Sequence, residues 1–144
     1  MNQKLNCVLL IDDDEPTNFF NTMVLEEVGC AEHIQVEESG QAALEFLSRH
    51  DNEGENKRKG SCPDLIFIDI NMPAMNGWEF MERYSTLEED KKGKVVVVML
   101  TTSLNPDDRL KAEQMKDISG FETKPLDAQK ISRILETFFP ALTG

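Results

Sequence analysis

Acidic and hydroxyl side chains follow several apolar runs, each of which has the composition of a buried β-strand. In the stretch "PDLIFIDINMP" (63–73) the apolar run ends on Asp69, and another apolar run is followed by Asp12 and Asp13. A third apolar run precedes Thr101 and Thr102, and Lys124 follows a short predicted strand at 120–123. Carboxylates brought within about 4 Å of one another repel by about 4 kcal/mol at an effective dielectric constant of about 20. A bound divalent cation would relieve that repulsion.

The donor atoms indicate which ion and which chemistry to expect. Oxygen ligands, with no Cys and no nearby His, favour a hard cation such as Mg²⁺, which keeps several waters and an oxyanion partner. The Lys124 ammonium and the Thr101 hydroxyl suit the anion, so the set predicts phosphoryl transfer to or near Asp69. The acidic turn "DDDE" (12–15) alone is more often a solvated helix start, and the joint placement at the strand ends carries the prediction.

Five predicted strands alternate with helical patterns and must position these side chains. The predicted strands are "KLNCVLLI" (4–11), 33–36, 65–68, "KVVVVML" (94–100) and 120–123. This alternation predicts an α/β fold with a five-stranded parallel sheet and helices on both faces. In such sheets ligands bind outside the carboxyl ends of the strands, where the polar residues collect.

Local signals set the limits of the helices. Pro16 and Gly29 bound a first helix in which Phe19, Phe20, Met23, Val24 and Val28 recur at helical spacing. Further helices are predicted after Ser39, after Asn76-Gly77, after Asn105-Pro106, and from an Asp127 cap through Phe139. The polar stretch at 50–63 predicts a surface loop.

Composition limits the class of protein and its partners. A chain of 144 residues, 40% hydrophobic, predicts one domain over 1–144 with a core at about 5–139. The net charge of −12 makes direct binding to nucleic acid or to an anionic membrane unfavourable. Cys7, Cys30 and Cys62 show no CxxC spacing, which argues against a disulfide framework or a zinc site. With neither a signal segment nor a membrane-spanning stretch, a cytoplasmic location is expected.

Four motifs, taken together and in order, carry a resemblance to a known family. They are "LLIDDD", "PDLIFIDINMPAMNG", "VVVVMLTTS" and "GFETKPL", and they span the chain from about Leu5 to Phe139. The chain resembles the receiver domain of two-component response regulators, of which the bacterial chemotaxis response regulator is an example. The resemblance implies a (βα)5, flavodoxin-like fold with strand order 2-1-3-4-5, and a single receiver domain without an output domain.

The resemblance also assigns roles at the strand ends. It implies that Asp69 is the phosphoacceptor, that Asp13 binds Mg²⁺ directly, and that Asp12 does so through water. The backbone carbonyl of Asn71 and the carboxylate of Asp69 would complete the metal site. These assignments make Mg²⁺, or another divalent cation, the expected cofactor.

The resemblance further implies a conformational switch. Thr101 matches the hydroxyl that captures the phosphoryl group, Lys124 matches its ammonium partner, and Lys124–Pro125 matches a peptide bond that is usually cis. Phe121 matches the switch aromatic, although a simple core Phe is the alternative interpretation. Without a hydroxyl, Phe121 would switch by packing alone.

The implied partners are a sensor histidine kinase or histidine phosphotransfer protein and a downstream protein target, with the chain a monomer or a phosphorylation-dependent homodimer. Its chemistry would be limited to its own phosphorylation and dephosphorylation. Two alternatives stay open from the residues. One is a pseudo-receiver that binds partners without phosphate. The other is a phosphatase with an Asp nucleophile on the first strand, whose D-x-D-x-[TV] pattern fits Asp12 and Asp14 but not Pro16.

Overall fold

The sheet of this protein is parallel throughout. The computed structural model describes residues 4–52, 63–86, 95–102 and 105–143. Every neighbouring pair of strands is parallel, and the order is β2-β1-β3-β4-β5. This confirms the expected strand order 2-1-3-4-5. The strands are β1 (Leu5–Ile11), β2 (Ala31–Glu37), β3 (Leu65–Asp69), β4 (Val96–Thr101) and β5 (Gly120–Thr123).

The helices begin at the predicted signals. Asp14 caps the first helix, which has Pro16 in its first turn and ends on Gly29 in the left-handed region at φ 70°. Asn105 and Asp127 cap two later helices as predicted. The helices are α1 (Glu15–Val28), α2 (Gly40–Asn52), α3 (Gly77–Tyr84), α4 (Pro106–Gln114), α5 (Ala128–Phe138) and the short α6 (Pro140–Thr143).

Two local predictions need correction. α2 continues through Asn52, so the first residues of the predicted loop at 50–63 are helical. Polar residues do not by themselves end a helix, and the sequence has no Gly or Pro between Gly40 and Gly54. Residues 53–62 of that predicted loop lie outside the described residues. β2 spans 31–37 rather than 33–36.

The buried face of α1 differs from its apolar pattern. Phe19, Phe20 and Met23 are 68%, 45% and 44% exposed, although they recur at helical spacing. The buried residues of this helix are Asn18, Asn21, Val24 and Leu25. Periodicity predicted the helix correctly but did not show which side faces the sheet, because apolar residues are also common on protein surfaces.

Apolar side chains cover both faces of the sheet. All five residues of β3 are buried, with Leu65 and Phe67 in the core on one face and Ile66 and Ile68 in the core on the other. A central parallel strand is expected to be apolar in this way. The buried run therefore ends on Asp69 at the carboxyl edge of the sheet.

α4 packs less extensively than its neighbours. Ala112 is its buried residue, and Leu110 is 56% exposed. The Lys111 ammonium lies 4.8 Å from the ring centroid of Trp78 in α3, within the range of a cation–π contact. α4 therefore meets α3 partly through a charged surface contact.

Candidate functional site

Three carboxylates meet at the carboxyl edge of the sheet. One oxygen from each of Asp12, Asp13 and Asp69 lies within 4.8 Å of the others. Asp12 and Asp69 are buried, whereas Asp13 is exposed. The first two follow β1 and the third ends the adjacent strand β3, so the parallel pairing of these strands brings them together. An acidic pocket that could bind a divalent metal results.

Lys124 joins this cluster from the end of β5. Its Nζ lies 2.7 Å from Asp12 Oδ2 and 2.9 Å from Asp69 Oδ1. Burial disfavours the ammonium, but the hydrogen bonds and charges of the two carboxylates outweigh burial and raise the pKa of Lys124. Lys124 is therefore positively charged at neutral pH.

The surroundings of Asp69 disfavour its charged form, whereas those of Lys124 favour its charged form. Burial, with the nearby charge of Asp12, raises the pKa of Asp69. The hydrogen bond and charge of Lys124 and the backbone N–H of Asn71 oppose that shift without cancelling it. A carboxylate with a raised pKa is more basic, and hence a better nucleophile, than a fully solvated one.

Both oxygens of Asp12 have protein partners. Oδ1 accepts from the backbone N–H of Asp14 at 3.0 Å, and Oδ2 accepts from Lys124 at 2.7 Å. The side-chain amide of the buried Asn18 donates to the Asp12 carbonyl at 2.8 Å, which fixes the turn between β1 and α1. Asp12 is thus held in place.

The remaining predicted residues lie around this cluster in the expected elements. Asn71 is exposed just after β3, and Thr101 is buried at the end of β4. Thr101 pairs with Thr123 of β5, and its carbonyl accepts from the Lys124 N–H at 2.7 Å. The Lys124–Pro125 bond is cis, as predicted.

Phe121 lies farther along the edge strand β5. It is half-buried, packs against the core on the α3 side, and has the Arg109 guanidinium 5.9 Å from its ring centroid. Clefts of about 190 and 210 Å³ adjoin it, one beside Ala112 of α4 and one beside Ile134 of α5. Phe121 is therefore neither a fully buried core residue nor a free surface residue.

A larger, mostly apolar groove of about 480 Å³ opens beside the cluster. It lies between α1 and the segment after β5, and Pro16, Phe20, Pro125 and Lys124 contribute to its walls. The groove leads from the exposed apolar side chains of α1 to the Lys124 side chain.

Sequence reasoning missed two residues that support the site. A Cβ built at Gly77 would lie 2.9 Å from the Asp69 carbonyl oxygen, too close for any side chain. The apolar neighbours of Asn18 entered the prediction, but Asn18 itself did not. The sequence signal for Gly77 was a glycine directly after Asn76. The signal for Asn18 was a polar residue seven positions before Leu25, a spacing that places both on the buried face of α1.

Known proteins share this fold. The family model of the response regulator receiver domain matches residues 8–136. The crystal structure of a two-component response regulator from Cytophaga hutchinsonii matches with a TM-score of 0.84 at 35% identity, covering 96% of this chain and 99% of that chain. A response regulator receiver protein from Dyadobacter fermentans DSM 18053 matches with a TM-score of 0.76 at 25% identity, covering 92% and 97%.

A third similar protein is the probable methanogenesis regulatory protein FilR2 of Methanothrix harundinacea (strain 6Ac). It is 26% identical over 129 residues, which are 90% of this chain and 78% of that protein.

This chain belongs to the response regulator receiver domain family of two-component signal transduction. Receiver domains are signalling domains that act with histidine kinases and downstream targets. No helix in the described part of the chain combines the length and apolar character needed to cross a membrane.

Proposed function

We propose that this receiver accepts a phosphoryl group on Asp69 from the phosphohistidine of a histidine kinase or histidine phosphotransfer protein. The observation that carries the proposal is the position of Asp69 at the tip of a fully buried strand, 2.9 Å from the Lys124 ammonium. A rigid strand holds the nucleophile still, and the ammonium is placed to stabilise negative charge on the transferred group.

The transfer is a displacement at phosphorus. A carboxylate oxygen of Asp69 forms a bond to phosphorus while the bond from phosphorus to the imidazole nitrogen breaks. The electron pair of the broken bond stays on the imidazole, which takes up a proton. Lys124 donates to the phosphoryl oxygens, for which it must give up part of its contact with the two carboxylates.

The donor set fits a magnesium ion. Asp13, Asp69 and the backbone carbonyl of Asn71 are the proposed direct ligands, and Asp12 would act through water because both its oxygens have protein partners. When bound, the ion would neutralise charge on the carboxylates and on the transferred group. All of the side-chain donors are oxygens, as a hard cation prefers.

Phosphorylation would act on the surface through Thr101 and Phe121. The Thr101 hydroxyl would turn to the phosphoryl group, and Phe121 would respond by packing alone, since it has no hydroxyl. The clefts beside Phe121 provide space for such a movement. The change is a shift between two populated states, which a downstream protein would distinguish.

The groove beside Lys124 is the proposed docking site for the phosphodonor protein. Its walls are mostly apolar, it borders the exposed Phe20, and it leads to Lys124. A helix of the donor lying against α1 would bring its phosphohistidine to Asp69. The single-domain organisation without an output domain stays a prediction. The oligomeric state, a monomer or a phosphorylation-dependent dimer, also stays a prediction.

The experiment is to incubate the protein with Mg²⁺ and acetyl phosphate and to measure its intact mass beside Asp69→Asn. The proposal expects one added phosphoryl group that requires Mg²⁺ and is absent from the variant. Addition that persists in Asp69→Asn and disappears in Asp12→Asn would instead support a nucleophile on the first strand. If no phosphoryl group is added and no stable beryllofluoride complex forms, the chain is a pseudo-receiver.

A further inference from the structure

A second lysine, Lys130, contacts the segment that carries Lys124. Its ammonium donates to the carbonyl oxygens of Thr123 at 3.0 Å and Pro125 at 2.9 Å, and to the Thr123 hydroxyl at 3.2 Å. An ammonium has three N–H donors, so these three acceptors use all of them. Lys130 therefore ties α5 to the residues on both sides of Lys124.

The location of Lys130 is unfavourable for the helix itself. Its backbone N–H donates to the Asp127 cap at 2.8 Å, which places Lys130 in the first turn of α5. A positive charge at this end opposes the helix dipole. The contacts with Thr123 and Pro125, rather than helix stability, account for a lysine at this position.

The backbone of Lys124 is thereby held from two sides. On the sheet side, its N–H donates to the Thr101 carbonyl at 2.7 Å. On the helix side, Lys130 holds the flanking carbonyls. Between these attachments the Lys124 side chain extends to Asp12 and Asp69.

We propose that Lys130 is a positioning residue that holds Lys124 in reach of Asp69. The consequence for phosphoryl transfer rests on the proposed function, whereas the placement of the Lys124 ammonium does not. Loss of the Lys130 ammonium would remove its three hydrogen bonds to the Thr123–Pro125 segment, and the Lys124 ammonium would leave the carboxylates for part of the time.

The chain provides a matched control in Arg133. It lies one turn farther along α5, is 65% exposed, and has a long ion pair of 3.7 Å with Glu122. Arg133→Met removes one positive charge from the same helix, as Lys130→Met does, without removing a contact to the Lys124 segment. Lys130→Gln serves as the test variant if Lys130→Met does not fold.

The first measurement detects the Lys124 ammonium by ¹⁵N NMR in the metal-free protein. In Lys130→Met we expect this signal to broaden or to approach that of a solvated lysine, and in Arg133→Met to stay as in the wild type. An unchanged Lys124 signal in Lys130→Met would overturn the proposal, whether or not the protein is ever phosphorylated.

The second measurement is a double-mutant cycle with Lys124→Met, read from the rate of phosphorylation by acetyl phosphate and from Mg²⁺ affinity by calorimetry. Lys130→Met should slow phosphorylation by about tenfold to a hundredfold, since a displacement of about 1 Å can cost about 10²-fold in rate. Its effects on rate and metal affinity should vanish in the Lys124→Met background. Equal effects in both backgrounds would show that Lys130 acts on stability instead.

A wild type that takes no phosphoryl group would contradict the proposed function, and the metal affinities and the NMR signal would still decide the positioning role.

Discussion

Lys124 Nζ lies 2.9 Å from Asp69 Oδ1, so the ammonium occupies one side of the proposed nucleophile. The same ammonium contacts Asp12 at 2.7 Å and offsets part of the charge that a metal ion would otherwise meet. Metal, phosphoryl group and ammonium must therefore share the oxygens of two carboxylates. How strongly each is bound depends on the others.

Replacing Lys124 should tighten metal binding. Lys124→Met keeps the approximate length of the side chain but removes its charge, which leaves the three carboxylates more negative. We expect Mg²⁺ affinity to rise by about tenfold, because a unit charge within a few Å of a partly buried ion contributes about 1 kcal/mol or more. Calorimetric titration with Mg²⁺ measures the change.

Phosphorylation of the same variant should become slower even though the metal binds better. Arg133→Met, which removes one positive charge from an exposed site outside the cluster, is the control for the general change in net charge. Weaker Mg²⁺ binding in Lys124→Met would contradict the competition between ammonium and ion.

Any side chain at Gly77 should destabilise the fold. Its Cβ would lie 2.9 Å from both the Asp69 carbonyl oxygen and the Ile70 Cα, which are backbone atoms and cannot turn away. Gly77→Ala should lower the free energy of unfolding by about 1–3 kcal/mol, the usual cost of overpacking. Urea unfolding of the purified variant provides the measurement.

Gly120→Ala is the matched control, because its Cβ would meet its nearest neighbours at an ordinary 3.6 Å. Its free energy of unfolding should stay close to that of the wild type. Similar losses in the two variants would show that the close approach at Gly77 is not the cause.

Replacing Ala74 with glycine should stabilise the fold. Ala74 lies in the loop after β3 at φ 66° and is exposed, so it bears a steric cost of the left-handed region that glycine would not bear. Ala74→Gly should raise the free energy of unfolding by about 0.5–1 kcal/mol. Thermal unfolding should shift upward by about 3 °C.

Ala128→Gly tests the opposite case. Ala128 is exposed at the start of α5, where a helical backbone favours alanine, so glycine should lower the melting temperature. A decrease in both variants would contradict the account of Ala74.

The buried thiols should be unreactive in the folded protein. Cys7 and Cys30 are buried, and burial raises the pKa of the Cys30 thiol, so little thiolate forms near neutral pH. In a Cys62→Ser background, the native protein should react with a disulfide reagent at least about 10³-fold more slowly than the unfolded chain. Absorbance at the wavelength of the released thiolate follows the reaction.

The Cys30 thiol also gives stability a pH dependence. Its folded pKa lies above the reference value of 9.0, so its contribution to stability is complete below pH 9.0 and is lost as pH rises through the folded value. Cys30→Ala should lose less stability than the parent as the pH rises above 9.0. An equal loss would show that Cys30 is not the source.

The fold and the main site residues could be predicted because parallel strands align their carboxyl ends. Asp12 and Asp69 each follow an apolar run and Lys124 follows a short predicted strand, so their convergence followed from the order of strands. The contacts of Asn18, Gly77 and Lys130 depend instead on how helices and loops approach the site in three dimensions. No short pattern records those distances. For a related reason the apolar spacing of α1 did not show which of its faces is exposed, since Phe19 and Met23 are apolar and yet exposed.

Trp78 is the one tryptophan of the chain, and its ring lies under the Lys111 ammonium of α4. Indole emission depends on nearby charge. The intrinsic fluorescence of the unlabelled protein therefore reports whether α4 stays against α3. Any ligand or modification that displaces α4 carries its own optical signal.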